Sequence, residues 1–84
     1  VPAVLDTLAA AYARARQVDQ AVAAQRRAVE LLPGDPTFLL NLALHLAARG
    51  DKAEARDQLQ RALRSGLPPT RLDEAERLRQ QLGA

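Results

Sequence analysis

The chain has 84 residues, 48% of them apolar, and a formal charge of +2 at neutral pH. It has no Cys and a single His, His45, which excludes a disulfide scaffold, a thiolate zinc site, a Cys nucleophile and a multi-His metal centre. No apolar run nears the ~20 residues needed to span a bilayer, no signal-peptide pattern opens the chain, and so small a charge does not imply a nucleic-acid partner.

Ala and Leu are the commonest residues, Ile is absent, and the only aromatics are Tyr12 and Phe38. No segment alternates with period two, so the chain reads as all-α. Gly and Pro cluster at Pro33-Gly34-Asp35-Pro36, at Gly50 and at Gly66-Leu67-Pro68-Pro69, and they divide it into helical pieces near 2–15, 19–32, 36–48, 52–64 and 70–82. Pro2 suits the first turn of the first piece, where a missing N–H costs nothing. The second piece carries the mixed charges Arg26, Arg27 and Glu30. Asp35 before Pro36 is a good N-cap for the third. That piece is apolar nearly all round, which demands cover on every side. Gly50 suits a left-handed cap at its end. Asp51 with Glu54 three residues on suits a capping box for the fourth, and Asp57 to Arg61 suits an ion pair along it. Thr70 can cap the fifth, whose apolar residues Leu72, Ala75, Leu78 and Leu82 form one stripe.

Sliding the chain by 34 residues superposes like on like. Pro2 falls on Pro36, Leu5 on Leu39, Leu8 on Leu42, Ala9 on Ala43, Ala21 on Ala55 and Ala28 on Ala62. The matches mark one face of each helix, so each unit reads as a helical hairpin. Leu5, Leu8 and Tyr12 would be the inner stripe of the first helix, as Leu39, Leu42 and Leu46 would be of the third. The alanines between them let the backbones approach closely.

A 34-residue helix–turn–helix unit with this residue order resembles the tetratricopeptide repeat. The pattern is carried by Leu5, Leu8, Ala9, Tyr12, Ala21, Ala28 and Pro33, and again by Leu39, Leu42, Ala43, Leu46, Ala55, Leu59 and Ala62. Departures are Gln25 where an aromatic is usual, Arg16 where Gly50 keeps the inter-helix glycine, and a closing proline, Pro68, that comes one residue late. The resemblance implies a right-handed superhelix of antiparallel helix pairs: one repeat over 1–34, a second over 35–68, and a capping helix over 69–84. It implies a non-catalytic scaffold that takes a protein or peptide partner on its hollow side. Carried over by position, the partner-binding residues are Asp6, Thr7, Ala10, Arg14, Thr37, Leu40, Asn41 and Leu44. Leu40 and Leu44 face either the fifth helix or an open groove. Cochaperone members of the family clamp a terminal carboxylate with Lys and Asn. Here the matching places hold Asp6 and Ala10, and only Asn41 agrees, so a heat-shock-protein tail is not expected.

The alternative role is that of a structural end cap on a longer helical stack. The opening from Leu5 to Leu8, with two units and a short amphipathic helix after it, also resembles the C-terminal end of long bacterial repeat proteins. Some of those are envelope proteins tied to exopolysaccharide export, which would place the chain in a bacterial cytoplasm or cell envelope. The chain starts at Val1 and contains no Met, so it reads as a processed or excised fragment. An earlier unit is expected before it, with self-association through the edge at Val4 and Ala11. No nucleic-acid contact, membrane insertion, cofactor, metal or catalytic residue is expected: the basic residues are interleaved with acids, and His45 has no nucleophile beside it.

Overall fold

A computed structural model describes residues 1–83. These are 83% helical, with no strand among the described residues. Five α-helices run in the order α1 (Pro2–Arg14), α2 (Val18–Leu31), α3 (Pro36–Arg49), α4 (Lys52–Ser65) and α5 (Leu72–Leu82), with a 3-10 turn at Pro69–Arg71 before α5. The last position of the third sequence segment, Ala84, lies outside the described residues.

The helices pack in pairs, α1 on α2 and α3 on α4, while α2 also covers α3 and α5 lies against α4 and α3. Alanines make the close approaches possible. Ala9, Ala21, Ala28, Ala43, Ala55 and Ala62 all have 0% exposure. The large core residues come mostly from α3 and α4: Leu39, Leu40, Leu42, Leu46 and Leu59 are all at 2% exposure or less. Val22 and Val29 of α2 and Ala75, Leu78 and Leu82 of α5 complete the same cluster. The apolar perimeter of α3 is therefore covered from three sides, by α2, α4 and α5.

The two hairpin turns are built alike. In the first, Arg16 N–H donates to the Ala13 carbonyl (3.0 Å) and Gln17 N–H to that of Tyr12 (2.9 Å). In the second, Gly50 N–H donates to Ala47 (3.0 Å) and Asp51 N–H to Leu46 (2.9 Å). Both turns place a residue in the left-handed region, Gly50 at φ 95° and Arg16 at φ 60°. Glycine adopts that conformation freely, whereas a side chain there is strained. Replacing Arg16 by Gly relieves the strain and adds some unfolded-chain entropy, so a net gain of about 1 kcal/mol is expected. A thermal melt of R16G against the parent chain checks it; an unchanged or lower Tm refutes it.

Local capping follows the sequence at some ends and departs from it at others. The Asp35 carboxylate accepts from Phe38 N–H at 3.0 Å, as an N-cap should. Asp51 starts α4 but makes no side-chain cap bond. Its carboxylate is taken by Arg49 Nε at 2.6 Å, because a guanidinium outcompetes a neutral N–H. Glu54 does not fold back into a capping box either; it pairs across to Arg26 of α2. Thr70 is not the cap of α5: it lies within the 3-10 turn, and α5 begins after Arg71. Arg61 donates to Gln58 at 3.1 Å in place of the expected pair with Asp57.

Two arginines fasten α5. Arg56 Nε of α4 donates to the Leu82 carbonyl (2.9 Å), and Arg71 Nη2 donates to Asn41 Oδ1 of α3 (2.8 Å). One holds its C-terminal end and the other its N-terminal approach. Ala75, Leu78 and Leu82 are thereby held onto α3 and α4, whereas Leu72, expected in the same stripe, is 45% exposed.

Candidate functional site

The eight residues expected to line the hollow side fall into three groups. Thr7 and Arg14 are exposed, and neither side chain makes a hydrogen bond among the described residues. Asp6, Ala10, Thr37, Asn41 and Leu44 are half-buried. Leu40 has 0% exposure and shares a cluster with Ala75 and Leu78 of α5. Leu40 is therefore core, not groove lining. Leu44 packs against the same cluster. The physical reason is the fifth helix, whose apolar stripe needs a partner and takes α3 and α4.

The polar members of the set are occupied by one another. Asp6 Oδ1 accepts from Gln25 Nε2 and from Asn41 Nδ2, both at 2.9 Å. Asn41 Oδ1 accepts from Arg71 Nη2, and Arg71 Nε donates to Glu74 Oε1 at 2.7 Å. This chain of bonds joins α1, α2, α3 and α5. Gln25 is 0% exposed, and its Nε2 also reaches the Phe38 carbonyl at 3.3 Å. Its Oε1 is buried without a partner. An amide therefore stands where the repeat pattern expects an aromatic, and it organises Asp6. The Gln25–Asp6 and Arg71–Asn41 links join residues 19 and 30 positions apart, which helical periodicity does not reveal.

His45 is half-buried beside a cleft of about 300 Å³ whose other lining residues are Ala13, Arg16, Val18 and Ala48. Burial pushes its imidazole below the usual histidine range, and the charge of Asp6 offsets this only in part. Burial therefore favours the neutral ring. No group of three or more His, Asp, Glu or Cys side chains that could hold a metal is present among the described residues. No helix among them is long and apolar enough to cross a membrane.

Apolar surface is left uncovered on α1 of the first hairpin. Val4 is 62% exposed and Leu8 41%. Their counterparts 34 residues on, Phe38 and Leu42, are 8% and 2% exposed. Leu8 was expected in the inner stripe with Leu5 and Tyr12. Instead it stands at the surface, and Leu5 and Tyr12 are only half-buried. The reason is packing: α2 covers the equivalent face of α3, and no helix among the described residues covers that of α1. A shallow depression of about 470 Å³ runs over Ala3, Val4, Thr7, Leu8 and Ala11. A second cleft lies between α1 and α2 and includes Leu8, Ala24 and Arg27. The equivalent cleft in the second hairpin includes Leu42, Gln58 and Arg61, and there α2 closes one wall with Arg26, Val29 and Glu30.

The arginines of α2 and α3 differ in their surroundings. Arg26 bonds Glu54 through both terminal nitrogens, Nη2 to Oε1 at 3.0 Å, and the guanidinium holds the Glu54 carboxyl below the usual range. Both side chains keep about 40% of their surface in water, so the pair contributes little stability and acts mainly on alignment. Arg49 bridges Asp19 of α2 and Asp51. Arg27 is exposed and has no partner among the described residues. Compared with family models, with curated proteins and with solved structures, the chain matches none.

Proposed function

We propose that the chain is a non-catalytic scaffold module of the tetratricopeptide type, a right-handed stack of two helix pairs sealed on one side by α5 and open to protein contact on the other. Support for the repeat comes from the two turns, whose hydrogen bonds coincide after a 34-residue shift, and from the alanine pairs buried at equivalent positions. The observation that carries the functional reading is the contrast between equivalent faces. Val4 and Leu8 stand in water where Phe38 and Leu42 are covered by a neighbouring hairpin. A large apolar residue left exposed at a position that packs in its twin marks an interaction surface.

The burial of Leu40 moves the weight from a peptide in the hollow side to a role at the end of a stack. The Asp6–Asn41–Arg71 bonds weigh the same way, since a ligand on the hollow side would have to displace them. In this reading α5 supplies the polar outer face that terminal units of helical stacks need.

Duplication tests it. A variant with residues 1–34 repeated ahead of Val1 keeps the 34-residue phase and places a second α2 over Leu8. Repeat arrays gain stability from each new interface. The expected result is one cooperative transition at a higher Tm than the parent chain. A separate early melting of the added hairpin, or an unchanged Tm, would overturn the proposal.

A further inference from the structure

We propose that the cleft beside His45 binds a small aliphatic carboxylate, whose charged end meets Arg16 and whose short apolar body lies against Ala13, Val18 and Ala48. The cleft measures about 300 Å³, at the small end of the range for pockets that take small molecules. Its walls come from the end of α1, the first hairpin turn, the start of α2 and the second half of α3, all of them described residues.

Arg16 is the informative residue. It holds a left-handed backbone at φ 60°, where its counterpart in the second turn is Gly50. Strain of that kind persists where something requires the side chain, and such residues gather at ligand sites. No contact inside the fold makes that requirement. The Arg16 side chain has no hydrogen bond or ion pair among the described residues. Asp19, the nearest acid along the chain, is taken by Arg49 at 3.3 Å. Arg16 instead lines the cleft.

His45 is the second polar group. It is half-buried, its ring makes no hydrogen bond among the described residues, and burial favours its neutral form. A neutral imidazole has one N–H to donate to a carboxylate oxygen. The charges nearest the ring are Asp6 on α1, Arg16 in the turn and, one turn on along α3, Arg49, which is held by Asp19 of α2 and by Asp51. Asp6 is bonded to Asn41, which precedes His45 along α3, whereas Ala48 follows it. The cleft thus extends from the ring away from the one acid that would oppose an anion.

The remaining walls choose the ligand. A guanidinium takes a planar carboxylate through two parallel hydrogen bonds. The side chains of Ala13, Val18 and Ala48 offer no donor, so a phosphate, polar on every side, would leave oxygens unpaired against them. A short hydrocarbon chain gains by burial there instead.

The probe is isovalerate, titrated into the intact isotope-labelled chain at fixed ionic strength and followed by NMR. Saturable shifts are expected at Ala13, Arg16, Val18 and Ala48, and at the imidazole of His45, whose signals are unambiguous because the chain has one histidine. The bound anion should raise the pH midpoint of that imidazole, since a nearby negative charge favours the protonated ring. Isovaleramide, the same shape without the charge, should not. Arg16→Gly should weaken isovalerate about tenfold, the worth of a hydrogen bond to a charged group, while raising the Tm. A loss of binding that accompanies a rise in Tm is not damage to the fold. Arg16→Lys keeps the charge without the fork and should bind between the two. Unchanged binding in R16G, equal binding of isovaleramide or of inorganic phosphate, shifts centred on Arg27 or Arg64, or no saturation at tens of millimolar isovalerate would overturn the inference.

Discussion

Replacing Leu40 by Ala is expected to cost about 2–5 kcal/mol, the range for a fully buried leucine whose cavity closes only in part. A chain of this size has a total stability on the order of 4–12 kcal/mol, so the loss is a large part of the whole. Leu40 has no exposed surface, and it lies among the residues that α5 helps to cover. Leu40→Asp goes further, because an unpaired carboxylate in that core has neither water nor a cation to compensate it. Loss of helical signal at ordinary temperature is the expected outcome for the aspartate variant. The control is Leu63→Ala, at a residue 42% exposed, which should change stability by under about 0.5 kcal/mol. Urea melts of L40A and L63A decide the matter: equal midpoints would show that Leu40 lies on a surface and that α5 does not close over α3.

The second large effect comes from enlarging the alanines at the helix crossings. Ala9 and Ala43 are equivalent positions with 0% exposure, and Leu at either site must push two helices apart. Overpacking of this kind costs about 1–3 kcal/mol. The two sites should differ in a definite order. Ala43 sits on α3, which is held by α2, α4 and α5 and has nowhere to move. Ala9 sits on α1, whose far side carries exposed Val4 and Leu8 and can shift toward water. A43L should therefore fall near the top of the range and A9L near the bottom. Thermal melts of both, with exposed Ala53→Leu as the control, check the order. A9L costing more than A43L would mean that α1 is as firmly held as α3.

Both predictions draw on features of different legibility. The helix spans, the interruptions at Pro and Gly, the Asp35 cap and the Gly50 turn follow from chemistry within a few residues, and each is visible in the sequence. The 34-residue period is equally visible because it concerns residue type at fixed offsets. The fate of Asp51 was not legible: whether it caps α4 or pairs with Arg49 depends on a side chain that competes for it in space. Arg56 is a parallel case. Its guanidinium reaches the Leu82 carbonyl 26 residues away.

The residues expected to line a hollow side show the same division. Asp6 and Asn41 were singled out by position, and the structure brings them together at 2.9 Å. Gln25 and Arg71, which occupy them, lie on other elements; Gln25 stood out only as a departure from the usual aromatic, and Arg71 carried no signal of its own. Leu40 was ambiguous because an all-round apolar helix says that cover is needed and not which element provides it.

Local sequence thus determined that the chain is helical, where the helices break, and which residue types recur. Those properties depend on backbone propensity, turn chemistry and spacing along one strand of chain. Tertiary packing alone decided which of two equivalent leucines is buried. Leu8 and Leu42 have the same identity and the same place in their units, but only Leu42 has a neighbouring hairpin over it, and burial is a property of neighbours.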